Sequence, residues 1–501
     1  MKHKKTFFML VACMFLAANA VASSFNLERE IARVMMDPRI PDTSQPKWQR
    51  SSYQDIIDAA RAARLDSRQT SIDVPGNITG KNPMSIRYVS GLLPEEPALE
   101  TWGDDEDIVY VTGETVVDLD QVLTILPGTL VLFSAFNDDV TGGQLSPALI
   151  QDLRDAYAVD PGAGGLLQTM SYQAPYINHF ADLWCDGVLI AKGEEDNPIL
   201  FASDASASEL TPFDWRGLHF SNGIVDYAIV VDCQIAGTGS LNNTLASRSR
   251  FDNNLETCKH GSGYVVACHL GNVWNECVAS PPDNLTLDIQ YNLFDNSWNW
   301  DIVLFNALDS VIIRHNTFHS GILVLDTYAS PLVFEFEAND FTSYGVTLET
   351  TEDVDAQFNY WGTTSVPVIG SRIHDENDDP QLGRVNYVPF LTSPDTDRDG
   401  LRDDEEGVLG TDPDVMDSDN DGLIDGLEVE HGANPLVADT DGDGQNDGTE
   451  VWLNGTDPTD PESRLPVSSA IGFAALAGLL VTLTSYRIIR SRLTCRNVKN
   501  R

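Results

Sequence analysis

Basic residues are scarce in this chain. Its 501 residues include 31 Lys and Arg against 76 Asp and Glu, a formal net charge of −45. A surface of that sign repels phosphate, which argues against nucleic-acid binding. Cysteine is sparse too, at seven, and no paired Cys spacing suggests a zinc site. Helix-period segments are missing between the short β runs that start near Ile108, apart from one interruption. That excludes alternating βα architectures and leaves an all-β stack, barrel or sandwich.

The acidity is concentrated. From Asp395 to Glu462 there are 23 acidic residues against Arg398 and Arg402. One pattern occurs there three times, at a spacing of 22 residues. The copies are Asp395, Asp397, Asp399, Asp403 and Glu406; Asp417, Asp419, Asp421, Asp425 and Glu428; and Asp439, Asp441, Asp443, Asp447 and Glu450. Counted from the first Asp, carboxylates fall at positions 1, 3, 5, 9 and 12, with Gly400, Gly422 or Gly444 at 6. This is the spacing of a loop that wraps Ca2+ in oxygen ligands. Alternate side chains converge on the ion, glycine makes the sharp turn, and the carbonyl at position 7 (Leu401, Leu423, Gln445) joins them. Position 9 often acts through a water, and Glu at 12 closes the sphere. A solvated acidic linker would not keep this register. Without calcium the gathered carboxylates repel, so the ion is expected to be needed for folding here. Affinity is expected on the order of 10⁻⁴ to 10⁻³ M, as in extracellular modules.

These residues resemble the thrombospondin type 3 repeat, a family also common in bacterial surface proteins. The resemblance implies loops that pack on one another around calcium, without the long paired helices of an EF-hand. Each Glu lies too close to the following Gly (Gly410, Gly432, Gly455) for a helix of ordinary length between them.

Both ends carry address signals. Lys2, Lys4 and Lys5 precede an apolar run from Phe7 to Ala18 and small-residue cleavage sites, so residues 1–22 read as a secretory signal peptide. Residues 467–486 hold no charge and are long enough to span a bilayer. The basic tail, 487–501, then places the C-terminus in the cytoplasm. Leu465 and Pro466 before the apolar stretch also resemble a cleaved bacterial sorting signal, though Val467-Ser468-Ser469 departs from the usual motif. Anchor and cleaved signal both stand. In an exported chain Cys258, Cys268 and Cys277 are close enough in sequence to pair locally.

Residues 24–106 read as a partly helical N-terminal segment, with helical periodicity near 26–35 and 53–65. β texture then runs from 107 to 391, with an insertion at 134–182 whose helix starts at Ser146-Pro147. Asn292, Asn316, Asn339 and Asn359, each with an aromatic two residues on, recur at intervals of 24, 23 and 20. Such a period marks a solenoid, in which Asn stacks on Asn and aromatic on aromatic about 4.8 Å apart. Here the chain resembles the right-handed parallel β-helix proteins of bacterial cell surfaces. The run from Leu123 through Trp215 carries the family's opening, and Asn359-Tyr360-Trp361-Gly362-Thr363-Thr364 its closing.

That family includes polysaccharide lyases and hydrolases, which implies a surface polysaccharide-processing enzyme as the alternative function. Asp295, Asp301, Asp309, Arg314, His315 and His319 crowd the most regular rungs. Strand alternation sends Arg314 and His315 to opposite faces, and the acid–base set of a polygalacturonase-like site is not assembled. Trp274, Trp298, Trp300, Tyr328 and Tyr344 would stack on sugar rings if exposed. The expectation is an exported, all-β protein: a right-handed parallel β-helix, a calcium-binding stalk at 392–464 and a C-terminal transmembrane or sorting helix. Its partner would be a polysaccharide or a surface protein, met without catalysis.

Overall fold

The computed structural model describes residues 26–463, apart from 36–37, 67, 95–98, 160–177, 221, 239–243, 255, 259–262, 272–275, 280–285, 296, 298–299, 305–309 and 326–332. The signal peptide, the apolar stretch at 467–486 and the basic tail lie outside the described residues, as do Trp274, Trp298, Asp309 and Tyr328. Among the described residues no helix is long and apolar enough to cross a membrane. A first compact unit ends at Pro394 and a second begins at Asp395.

The first unit is mostly β, and its two large sheets are built mainly from parallel ladders. One is nine strands long, from Leu99–Trp102 to Val333–Glu337. A nineteen-stranded sheet holds two more, joined where Met84–Leu92 and Ile108–Val117 are long enough to serve both. Each coil contributes one strand to each ladder in turn. Thr286–Gln290, Leu293–Asp295 and Trp300–Leu304 pair with Ser310–Arg314, Thr317–Phe318 and Ile322–Val324 of the next coil. Alternation within a strand selects the core. Val311 and Ile313 are buried, whereas Ser310, Ile312 and Arg314 are half-buried on the other face. Val311, Ile313, Ile302, Leu304, Ile322 and Val324 belong to one continuous interior.

The expected stacks are present. Phe294, Phe318, Phe341 and Trp361 follow one another with ring centroids 4.9, 5.2 and 4.7 Å apart. The asparagines form a hydrogen-bonded ladder. The side-chain amides of Asn292, Asn316 and Asn339 donate to Oδ1 of Asn316, Asn339 and Asn359 at 3.0, 3.0 and 2.9 Å. Each Asn follows a corner residue in the left-handed region: Tyr291, His315, Ala338 and Phe358, at φ 60°, 55°, 55° and 59°. That conformation costs a non-glycine residue about 1 kcal/mol or more. The buried amides offset it by satisfying backbone groups that the corner leaves outside the ladders.

Two sequence expectations need correction. The ladders start at Met84, not at 107, because Met84–Leu92 pairs in parallel with Ile108–Val117. Gly91 and Pro94 interrupt its short alternation, so only the partner strand makes it legible. His315 is not in a strand: it occupies a corner, its ring stacked on Tyr291 at 5.0 Å. Cys268 is buried, and its backbone N–H donates to Asn292 Oδ1 at 2.8 Å. It takes the place of an asparagine at the ladder's end. The side chains of Cys258 and Cys277 lie outside the described residues.

The N-terminal segment is helical at both expected places and covers a flank. Helix α1 is Leu27–Met35 and α2 is Gln54–Leu65. Ile56, Ile57, Ala60 and Ala63 of α2 pack with Ile108, Leu130, Leu200 and Ile229. Those last four residues form one row across paired strands. Further along the register the same row turns to Arg250, His269, Leu293 and Thr317. The row is continuously apolar where α2 packs on it, and mixed beyond. In the insertion, α3 (Pro147–Val159) starts as expected, and Leu153 joins Phe136, Leu145, Phe180 and Phe213 in a small separate core.

Candidate metal centre

In each acidic loop the chain first coils around the position-1 carboxylate. Asp395 Oδ2, Asp417 Oδ2 and Asp439 Oδ2 accept the N–H of Gly400, Gly422 and Gly444 at 3.0, 3.0 and 2.9 Å. Those glycines have φ of 100°, 93° and 95°, which explains glycine at position 6. The position-5 carboxylates of Asp399, Asp421 and Asp443 accept from the N–H of Leu401, Leu423 and Gln445 at 2.7, 2.8 and 2.9 Å. Side chains 1, 3 and 5 thus meet. In Asp395–Asp397–Asp399, Asp417–Asp419–Asp421 and Asp439–Asp441–Asp443, one oxygen per residue lies within 4.8 Å of the others.

Position 9 opens a short helix: α5 is Asp403–Leu409 and α6 is Asp425–His431, after α4 (Val366–Gly370) in the first unit. In the third copy Asp447–Thr449 passes into a π-helical turn, Glu450–Asn454. Seven residues are far short of EF-hand helices. One helical turn carries Glu406, Glu428 and Glu450 back under the loop, where all three are fully buried.

Asp403, Asp425 and Asp447 have a further task. Their Oδ1 atoms accept the N–H of Thr396, Ser418 and Thr440 at 3.0, 2.8 and 2.9 Å, and in the first two copies the hydroxyl donates to Oδ2 as well. These position-2 residues were not singled out from the sequence, although a hydroxyl recurs there in all three copies.

The remaining oxygens fit a cation. Glu406 and Glu428 have no hydrogen-bond partner on either carboxylate oxygen, and one oxygen each of Asp397, Asp441, Asp447 and Glu450 is likewise buried without one. Buried acceptors in that number cost several kcal/mol if left so. Burial, reinforced by the neighbouring carboxylates, pushes Asp399 and Glu428 up to about 9 and Asp397 up to about 8. A hard divalent cation relieves both burdens, since it takes oxygen ligands and favours the charged form. An all-oxygen set of six or more suits calcium better than zinc or copper.

Residues 395–413, 417–438 and 439–461 match the family described as bacterial TSP3 repeat. No curated protein and no solved structure matches the chain. The TSP3 match and the clustered Asp residues together support calcium binding by this segment. Asp395, Asp397, Asp399 and Glu406, with their counterparts in the other two repeats, would hold the ions.

The residues weighed as catalytic are placed differently. Asp301 is buried, and its Oδ2 accepts the N–H of His319, Ser320 and Gly321 at 2.8, 2.7 and 2.9 Å. It holds a turn. Arg314 pairs with Glu335 at 3.2 Å on the outer face of its ladder. Of the described aromatic candidates, Trp300 is half-buried and Tyr344 is 64% exposed.

Proposed function

We propose that calcium holds the TSP3 segment folded as a rigid spacer in an exported envelope protein, and that the parallel solenoid carries a non-catalytic binding or adhesive role. The observation that carries the calcium part is Glu406 and Glu428: fully buried carboxylates with four oxygens and no hydrogen-bond partner. The rest builds on it. The apolar leader at 1–22 supports export, and the uncharged stretch at 467–486 with its basic tail supports anchoring or sorting, C-terminus inward. A right-handed β-helix suits the coil connectivity. A glycan or a surface protein is the proposed partner, with exposed Tyr344 as one stacking residue.

Calorimetric titration of the chain with calcium tests the first part. Saturable uptake with a gain in protease resistance across 395–461 is expected. Changing Glu406, Glu428 and Glu450 together to Gln should abolish both, and unchanged uptake would sink the ligand assignment. For the second part, a panel of polysaccharides should show retention without released product; turnover would replace binding with catalysis.

A further inference from the structure

The three loops are not equivalent, because the first and the second each lean on the repeat that follows and the third has none to lean on. Gly426 N–H, in the second repeat, donates to Asp399 Oδ2 in the first at 3.2 Å. Gly448 N–H, in the third, donates to Asp421 Oδ2 in the second at 2.9 Å. The approach leaves no room for a side chain: a Cβ on Gly426 would lie 2.3 Å from the Asp399 carbonyl oxygen, and one on Gly448 2.7 Å from the Gly422 carbonyl carbon. Position 10 is accordingly Gly in the second and third repeats, and Asp404 in the first, which has no repeat before it.

This contact sets the preceding residue, position 9, against the earlier loop. Oxygens of Asp399, Glu406 and Asp425 all lie within 4.8 Å of one another, although Asp425 belongs to the next repeat. All three residues are buried, and Glu406 presents to that cluster a carboxylate with no hydrogen-bond partner. At the second junction the glycine contact recurs. Asp447 is fully buried, and its Oδ2 has no hydrogen-bond partner. After the third repeat the pattern stops: Pro461, Ser463 and Leu465 stand where another loop would place its first three carboxylates.

We propose that the calcium sites are completed across repeat boundaries, Asp425 being a shared ligand of the first loop and Asp447 of the second, while the third loop has no successor to supply one. This rests on the calcium reading above. It makes the first two sites dependent on a neighbour, so that calcium joins the repeats as well as folding each of them. It also gives position 9 two tasks: bonding residue 2 of its own loop, and facing the ion of the loop before.

The test is calcium titration of the full chain with hydrogen exchange read separately for 395–406, 417–428 and 439–450. Asp425→Asn should raise the calcium needed to protect 395–406 by about tenfold or more, and Asp447→Asn should do the same for 417–428. Asp403→Asn, which alters the same position in a repeat without a predecessor, should act on its own loop only. The third loop should be the last of the three to gain protection in the unmodified chain. If Asp425→Asn shifts 417–428 alone, or if the third loop fills before the first, the shared-ligand proposal is overturned while calcium binding stands. If no loop of the unmodified chain gains protection with calcium, the calcium reading itself has failed. Should Asp425→Asn leave the repeats unprotected at saturating calcium, Asp425→Glu, which keeps the charge but displaces it, carries the same comparison.

Discussion

Asn316 and Asn339 are joined through a single oxygen: Oδ1 of Asn339 accepts both the side-chain amide and the backbone N–H of Asn316, at 3.0 and 3.1 Å. The Asn316 amide also donates to the carbonyls of Ile289 and Arg314, and its own Oδ1 accepts from Asn292. One side chain therefore serves three coils. Asn316→Ala would leave the Asn292 N–H and the buried Ile289 carbonyl without this partner, while the Arg314 carbonyl keeps the Tyr291 N–H at 3.2 Å, and should cost about 2–4 kcal/mol. Urea unfolding followed by hydrogen exchange of 286–341 measures this. A loss under about 1 kcal/mol would show the ladder to be incidental.

Two glycines in the repeats should respond in opposite directions. Gly426→Ala forces a methyl against the Asp399 carbonyl, and should cost about 2 kcal/mol or more. Gly407 lies in α5 with nothing within 4 Å of a Cβ. Gly407→Ala should stabilise the repeats by about 0.5–1 kcal/mol through helix propensity. Protease resistance of 395–461 at a fixed calcium concentration separates the two.

The repeats should respond to pH differently with and without calcium. Asp397, Asp399 and Glu428 are pushed from 3.8, 3.8 and 4.5 up to about 8, 9 and 9. The metal-free folded repeats therefore bind more protons than the unfolded chain. That contribution is complete below about pH 4 and is lost as pH rises through 8 to 9. In chelator, exchange protection of 395–450 should fall from pH 5 to pH 9. In saturating calcium it should rise over the same interval, because ligands must be deprotonated to bind. Parallel curves in the two conditions would contradict the metal assignment.

Within the solenoid, Asp214 is fully buried, takes a hydrogen bond from the Thr211 hydroxyl on Oδ1, and has no partner on Oδ2. Burial first, then the neighbouring Asp232, pushes it up to about 8. Its folded value exceeds its unfolded one, so it lowers stability as pH rises from 4 through 8. Asp214→Asn keeps an acceptor for Thr211 and removes the charge. The variant should match the unmodified chain near pH 4 and exceed it by roughly 2 kcal/mol or more at pH 9, read from denaturant unfolding at the two pH values.

Much of this was legible in the residue order. The three acidic loops were visible because metal ligation fixes residue type and spacing together, and the structure brings positions 1, 3 and 5 into contact in every copy. The rungs around Asn292, Asn316 and Asn339 were visible because a solenoid repeats its contacts at a constant chain interval. What escaped depends on partners remote in sequence. Met84–Leu92 is a solenoid strand only because Ile108–Val117 lies beside it. His315 looked like a strand residue because a left-handed φ leaves no trace in an isolated sequence. Gly426 carries no signal of its own in the sequence, and only the Asp399 carbonyl against it explains the glycine.

By itself, then, the sequence determined the chemistry: oxygen ligands in calcium register, stacked amides and stacked rings, each set by residue type at short or regular spacing. The tertiary structure alone decided who touches whom across those spacings. It laid α2 on one outer row of the solenoid, turned Asp301 inward to hold a turn, and set Asp425 against the loop before its own. The physical reason is that burial and close approach belong to pairs of segments, and a pair is defined only when both are folded.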